Sequence, residues 1–204
     1  MGFLAVREAL QNSLDAIFKR IAAGEIERGK FEVDYDRSAG TMTIRDNGGG
    51  MDVDTLQNVY LTLYASGKRD SGHYLGGHGV AKAYILGIVD HNEPGAGIEI
   101  RSRDYVCRTS EIDENGQFPV VTGQPYIDGL ELRFTGIDKE AWGVFFRDEL
   151  ARLLQNSDMA GKVDVIVNGT PLKTGAASDL EWRQVATETP IPAGLTLQCA
   201  LVKK

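Results

Sequence analysis

Between Phe3 and Ala23 no proline interrupts the chain, and Leu10, Leu14, Ile17, Phe18 and Ile21 recur at spacings of three and four. That is the period of one apolar stripe on an amphipathic helix. At 100° per residue, Glu8, Asn12 and Asp15 fall within a narrow arc on the side opposite the stripe, so their side chains converge. The period then drops to two. Residues 31–37 and 41–45 alternate apolar with polar positions around Ser38-Ala39-Gly40, which predicts a β-hairpin whose second strand runs into Asp46. Asp52 is placed to cap a helix over 52–64, residues 65–75 form a polar loop, and 80–86 is an apolar, helix-like run. Four further strands are predicted at 97–103, 105–109, 118–122 and 129–134. Asp138 caps a helix over 140–155, whose Trp142, Phe145, Phe146, Leu150 and Leu153 form a core-facing stripe. Residues 162–167 give a strand entering a tight turn at Asn168-Gly169, and 195–202 ends like a strand. The sum is an α+β fold, a two-layer sandwich of helices on a mixed, largely antiparallel sheet.

Composition narrows the class without naming a chemistry. With 204 residues, 42% hydrophobic and 25% charged, the chain can bury one substantial core and begin a second, as a soluble globular protein does. No apolar run approaches the roughly 20 residues of a membrane span, and the start lacks signal-peptide features, so a cytoplasmic location is expected. Cys107 and Cys199 are isolated, and His73, His78 and His91 show no zinc-type spacing with them. Free thiols are expected. The net charge of −7 argues against a broad duplex-DNA surface, which needs clustered Lys and Arg.

Three short clusters carry the candidate chemistry: 8–15 (EALQNSLD), 46–51 (DNGGGM) and 76–82 (GGHGVAK). The first offers a carboxylate and an amide from one helix face; taken alone, it reads more readily as a solvated face. The second puts a carboxylate at a strand end, able to accept from an exocyclic amine, before three glycines that let a flat ring approach the backbone. Its bland alternative is an Asp-Asn-Gly turn. In the third, Gly76, Gly77 and Gly79 precede a helix start, where free N–H groups and the helix dipole favour phosphate, unless the glycines serve packing only. Two familiar phosphate motifs fail. A Walker loop would need glycine at Ala81 and a hydroxyl at Ala83, and a dinucleotide fingerprint lacks its third glycine after Gly48 and Gly50.

In that order the three clusters resemble the boxes of the GHKL ATPase superfamily, which joins DNA gyrase B subunits, the ninety-kilodalton heat-shock chaperone, histidine kinases and MutL. Glu8-x-x-x-Asn12 with Leu14-Asp15-Ala16 is similar to the first box, Asp46-x-Gly48-x-Gly50 to the second, and Gly76-x-x-Gly79 to the third. The resemblance implies the Bergerat ATP-binding fold over residues 1–174, with 175–204 a β-rich segment beginning a following domain. It implies ATP and Mg²⁺ as ligands, with Glu8 the general base and Asn12 the metal ligand. Asp46 would hold the adenine amine, while Gly48, Gly50 and Met51 shape the base pocket and Asp15 completes the first box. Gly76, Gly77, His78, Gly79, Val80 and Lys82 would cradle the phosphates. The Glu-bearing first box is similar to the gyrase, MutL and chaperone branch, which implies hydrolysis rather than phosphotransfer to histidine.

Some positions depart from the family's pattern. Ala81 replaces a frequent glycine, the lid at 67–76 is short, and the Gly-Thr whose hydroxyl supports the adenine-binding Asp is Gly129-Leu130 here. Thr135 could supply that hydroxyl only through a register shift. The chain is expected to be a fragment that turns ATP over slowly alone, within a clamp that forms homodimers on lid closure. The alternative is a nucleotide-dependent binding switch without significant hydrolysis.

Overall fold

A computed structural model describes residues 2–57, 85, 87–89, 93–111, 114, 118–137, 161–172, 182–184 and 198–200. Helix α1 spans Gly2–Ala22 and buries Ala5, Val6, Ala9, Leu10, Leu14 and Ile17. One expected member of its stripe is elsewhere: Phe18 is 49% exposed. The buried arc is centred on Val6, Leu10, Ser13 and Ile17, which leaves Phe18 on the flank and draws the polar Ser13 into the core-facing surface.

Strands β1 (Gly29–Asp36) and β2 (Thr41–Asp46) form the predicted hairpin, with Val33 opposite Ile44 and Phe31 opposite Asp46. Asp52 caps α2 (Val53–Thr55), its carboxylate accepting from the Thr55 N–H at 2.7 Å. The rest of the expected 52–64 helix beyond Gln57, the polar loop, most of the 80–86 run and the 140–155 helix lie outside the described residues.

The four strands expected between 97 and 134 are two long ones, β3 (Gly97–Arg108) and β4 (Val120–Thr135). Their antiparallel ladder shifts register at Ser102/Arg103 and again at Arg103/Tyr105, where Arg103 takes a left-handed φ of 51°. A bulge therefore replaces the predicted break. After β5 (Val163–Val167), Asn168 and Gly169, with φ of 47° and 70°, turn the chain into β6 (Thr170–Pro171). The six-stranded sheet has the order β3-β4-β2-β1-β5-β6, antiparallel at every pairing except β1 with β5. A separate ribbon pairs β7 (Trp182–Gln184) with β8 (Gln198–Ala200).

One sheet face carries Phe31, Val33, Met42, Ile44, Ile98, Ile100, Leu132, Phe134, Val163 and Val165, and α1 packs on it to close the core. The other face is charged, with a ladder running Asp34, Arg45, Glu131, Arg101 across four strands. Cys107 is buried and free, and burial pushes its thiol up to about 11. Among the described residues no helix is long and apolar enough to cross a membrane.

Candidate functional site

Asp46 ends β2 and is partly buried between α1 and β4. Its Oδ1 accepts from the backbone N–H of Gly48 at 2.8 Å and of Leu130 at 3.3 Å, while its Oδ2 accepts from the Ser13 hydroxyl at 2.5 Å. Burial pushes this carboxyl above the usual carboxylate range, opposed by all three hydrogen bonds, which favour the charged form. A carboxylate oxygen has two lone pairs. Among the described residues Oδ1 has used both, and Oδ2 keeps one.

Ser13 is the partner of Asp46 that motif reading missed. It supplies from α1 the hydroxyl that Leu130 cannot supply from β4. Thr135 does not substitute: its hydroxyl donates to the carbonyls of Gly95 and Gly97, at the other end of the ladder. The signal was present in the helical period, because Ser13 falls in the arc of Val6, Leu10 and Ile17 that must face the sheet.

The 46–51 loop is held from three directions. From below, Asn47 is bound to β1's start: its Oδ1 accepts from the Lys30 N–H at 2.7 Å and its Nδ2 donates to Arg28 O at 3.2 Å. From α1, the Arg20 guanidinium donates through Nη1 to Asn47 O at 2.7 Å and to both oxygens of Asp128 at 2.9 and 3.0 Å, and through Nε to Glu25 at 3.1 Å. From β3, Ser102 Oγ accepts from Met51 N–H at 2.9 Å and donates to Gly129 O at 3.1 Å, and Tyr105 Oη donates to Met51 O at 3.0 Å. In a regular strand, residues 102 and 105 would face opposite ways. The bulge at Arg103 turns both onto the loop.

Close packing accounts for glycine at two positions. A Cβ on Gly129 would overlap the backbone oxygen of Asp46, and one on Gly50, at φ +66°, would overlap Ser102 Oγ and Gly129 O. Gly48 in turn lies against Ala16 of α1. These contacts come from the protein itself, so the glycines seat the loop on its neighbours whatever else approaches it.

The first cluster is not a solvated face: Glu8 and Asn12 are half-buried and Asp15 is buried. Asn12 lines a small pocket of about 10 Å³ together with Ala9, Ser13, Ile44, Asp46, Leu130 and Leu132. Its lining is mostly apolar, with Asn12, Ser13 and Asp46 as the polar members. The α1 cluster and the 46–51 cluster, 31 or more residues apart along the chain, thus meet at one place. The residues of the third cluster, Gly76, Gly77, His78, Gly79, Val80 and Lys82, lie outside the described residues.

A comparison with protein families matches residues 3–116 to the histidine kinase-, DNA gyrase B- and HSP90-like ATPases. That is more than half of the chain, and it includes both clusters brought together here. The chain belongs to this family. Its mixed sheet with α1 on one face is the Bergerat ATP-binding fold of these GHKL ATPases. In this GHKL domain the carboxylate at the end of β2 shares a small pocket with Asn12 and Ser13 of α1, and β4, which contributes Leu130 and Gly129, comes from beyond the matched segment.

Proposed function

We propose that this GHKL domain binds Mg·ATP and hydrolyses it, with closure of residues 67–76 over the nucleotide bringing two copies of a larger clamp-like protein together. The observation that carries the reading is the lone pair on Asp46 Oδ2 that no described residue takes up, in a small pocket shared with Asn12. An adenine amine can donate to that oxygen; a base with a carbonyl there would face a carboxylate. Gly48, Gly50 and Met51 form the loop beside it.

Asn12 offers a neutral amide oxygen on the same helix. One such ligand suits Mg²⁺, a hard cation that fills its octahedron with water and phosphate oxygens. Bound there, the ion would neutralise charge on the phosphates. Glu8 precedes Asn12 by one helical turn and is half-buried, so its carboxylate is suited to orient and deprotonate an attacking water. Asp15 belongs to the same polar arc. Gly76, Gly77, His78, Gly79, Val80 and Lys82 supply the phosphate cradle, with backbone N–H groups and one cation. The ATP-binding unit covers residues 1–174 and the protein works in the cytoplasm, with 175–204 opening a further domain.

Phosphate release measured beside calorimetry of ATP binding tests this. Glu8→Ala is expected to lower turnover by about a hundredfold or more while leaving ATP affinity within about threefold, and chelation of Mg²⁺ is expected to weaken ATP binding in both proteins. Turnover untouched by the substitution removes Glu8 from the chemistry. ATP binding without turnover in the wild type favours a nucleotide-dependent switch instead.

A further inference from the structure

Arg20 stands at the last turn of α1, outside all three motif clusters, yet it touches both segments that hold Asp46. Its Nη1 donates to Asn47 O at 2.7 Å. The Asn47 carbonyl and the Gly48 N–H are the two ends of one planar peptide unit, so fixing the carbonyl fixes the direction of the N–H that reaches Asp46 Oδ1 at 2.8 Å. The same Nη1 grips Asp128, two residues before Leu130, whose N–H is the other donor to Oδ1. Between them, Gly129 passes so close to Asp46 that a Cβ has no room. One guanidinium therefore ties the loop and β4 together around a single carboxylate oxygen.

We infer that Arg20 is a positioning residue for the base site: by clamping Asn47 and Asp128 it holds both backbone donors on Asp46 Oδ1 and so leaves Oδ2 as the acceptor for an adenine amine. The side chain is suited to this task. Arg20 is largely covered, at 17% side-chain exposure, whereas its carboxylate partners Asp128 and Glu25 are more than half exposed. The cation thus sits at the joint and its counter-charges lie on the rim. A donor charge on the carbonyl end of a peptide also polarises its N–H and strengthens the bond at the far end. Lysine lacks the fork that reaches a carbonyl, one carboxylate and a second carboxylate at once. The inference rests on the assignment of Asp46 to the adenine amine.

Calorimetry with ATP and with ITP, which carries a carbonyl in place of the amine, separates the two claims in the full chain. The wild type is expected to prefer ATP. Arg20→Gln is expected to weaken ATP binding by about tenfold and to shrink the ATP-over-ITP preference, with ITP affinity much less changed. Asp128→Asn, at an exposed position, is expected to shift the preference the same way by a smaller factor. Amide exchange at Gly48 is expected to quicken in Arg20→Gln without nucleotide. Equal losses for ATP and ITP, or an unchanged preference in both variants, overturn the clamp, as does unaltered Gly48 exchange. A wild type that does not distinguish ATP from ITP overturns the Asp46 assignment, and with it the nucleotide role given to Arg20.

Discussion

Burial raises the proton affinity of Asp46 while the proposed task of accepting an amine requires the charged form, so its ionisation weakens the fold that carries it. For a carboxyl whose folded-state pKa lies above its unfolded value of 3.8, the stability contribution is fully present below that value and is lost as pH rises through the folded pKa. At neutral pH an isosteric neutral residue should therefore be tolerated. In Asp46→Asn the amide oxygen can keep the Gly48 and Leu130 N–H bonds and the amide nitrogen can donate to Ser13. Thermal melts at pH 7 are expected to show this variant no less stable than the wild type, the difference closing as the pH falls toward 3.8. ATP affinity by calorimetry is expected to fall by about tenfold or more, since a donor replaces the open acceptor. Equal affinity refutes the assignment. The carboxylate itself was legible in the sequence, at a strand end before glycines. The helical period turns Ser13 toward the sheet, but that its hydroxyl rather than that of Thr135 meets Asp46 depends on the rotation of α1 against β2 and the register of β4, neither of which a motif records.

At the scale of elements, the 46–51 loop owes its shape to what surrounds it. Three consecutive glycines pointed to a flat ligand, and the packing adds a reason of a different kind: Gly50 and Gly129 are crossed by protein atoms. Gly129→Ala is accordingly expected to cost about 2–4 kcal/mol in urea unfolding, and nucleotide binding should weaken with it because Leu130 N–H is displaced from Asp46. A smaller loss than about 1 kcal/mol would mean that β4 can yield there. The hairpin, the Asp52 cap and the Asn168-Gly169 turn were readable from period and turn chemistry, which are local. The β3 bulge was not. The polar run 101–104 reads as a break at Asp104, whereas the ladder continues past it and uses the irregularity to aim Ser102 and Tyr105 at one loop.

Across the molecule, the solvent-facing side of the sheet spends its cations on its own carboxylates: Arg28 with Asp164, Lys30 with Glu32, Arg45 with Asp34 and Glu131, Arg108 with Glu99. Exposed pairs of this kind add little stability, and a net charge of −7 does not favour a polyanion. Fluorescence anisotropy with duplex DNA at physiological salt is expected to detect no binding tighter than the roughly 10⁻⁴ M non-specific limit; a salt-sensitive micromolar complex would locate a basic surface that these pairs do not reveal. The fold class followed from the order of helical and alternating segments, whereas the insertion of β4 between β3 and β2 did not, because strand order is a matter of long-range pairing. That insertion has a consequence for biosynthesis. Asp46 leaves the ribosome 84 residues ahead of the Leu130 amide that binds its carboxylate, which at about 5–20 residues per second is a wait of roughly 4–17 s. Through that interval the nascent chain has a half-built pocket around Asp46 with an unpaired strand edge beside it, a natural point for a chaperone to intervene.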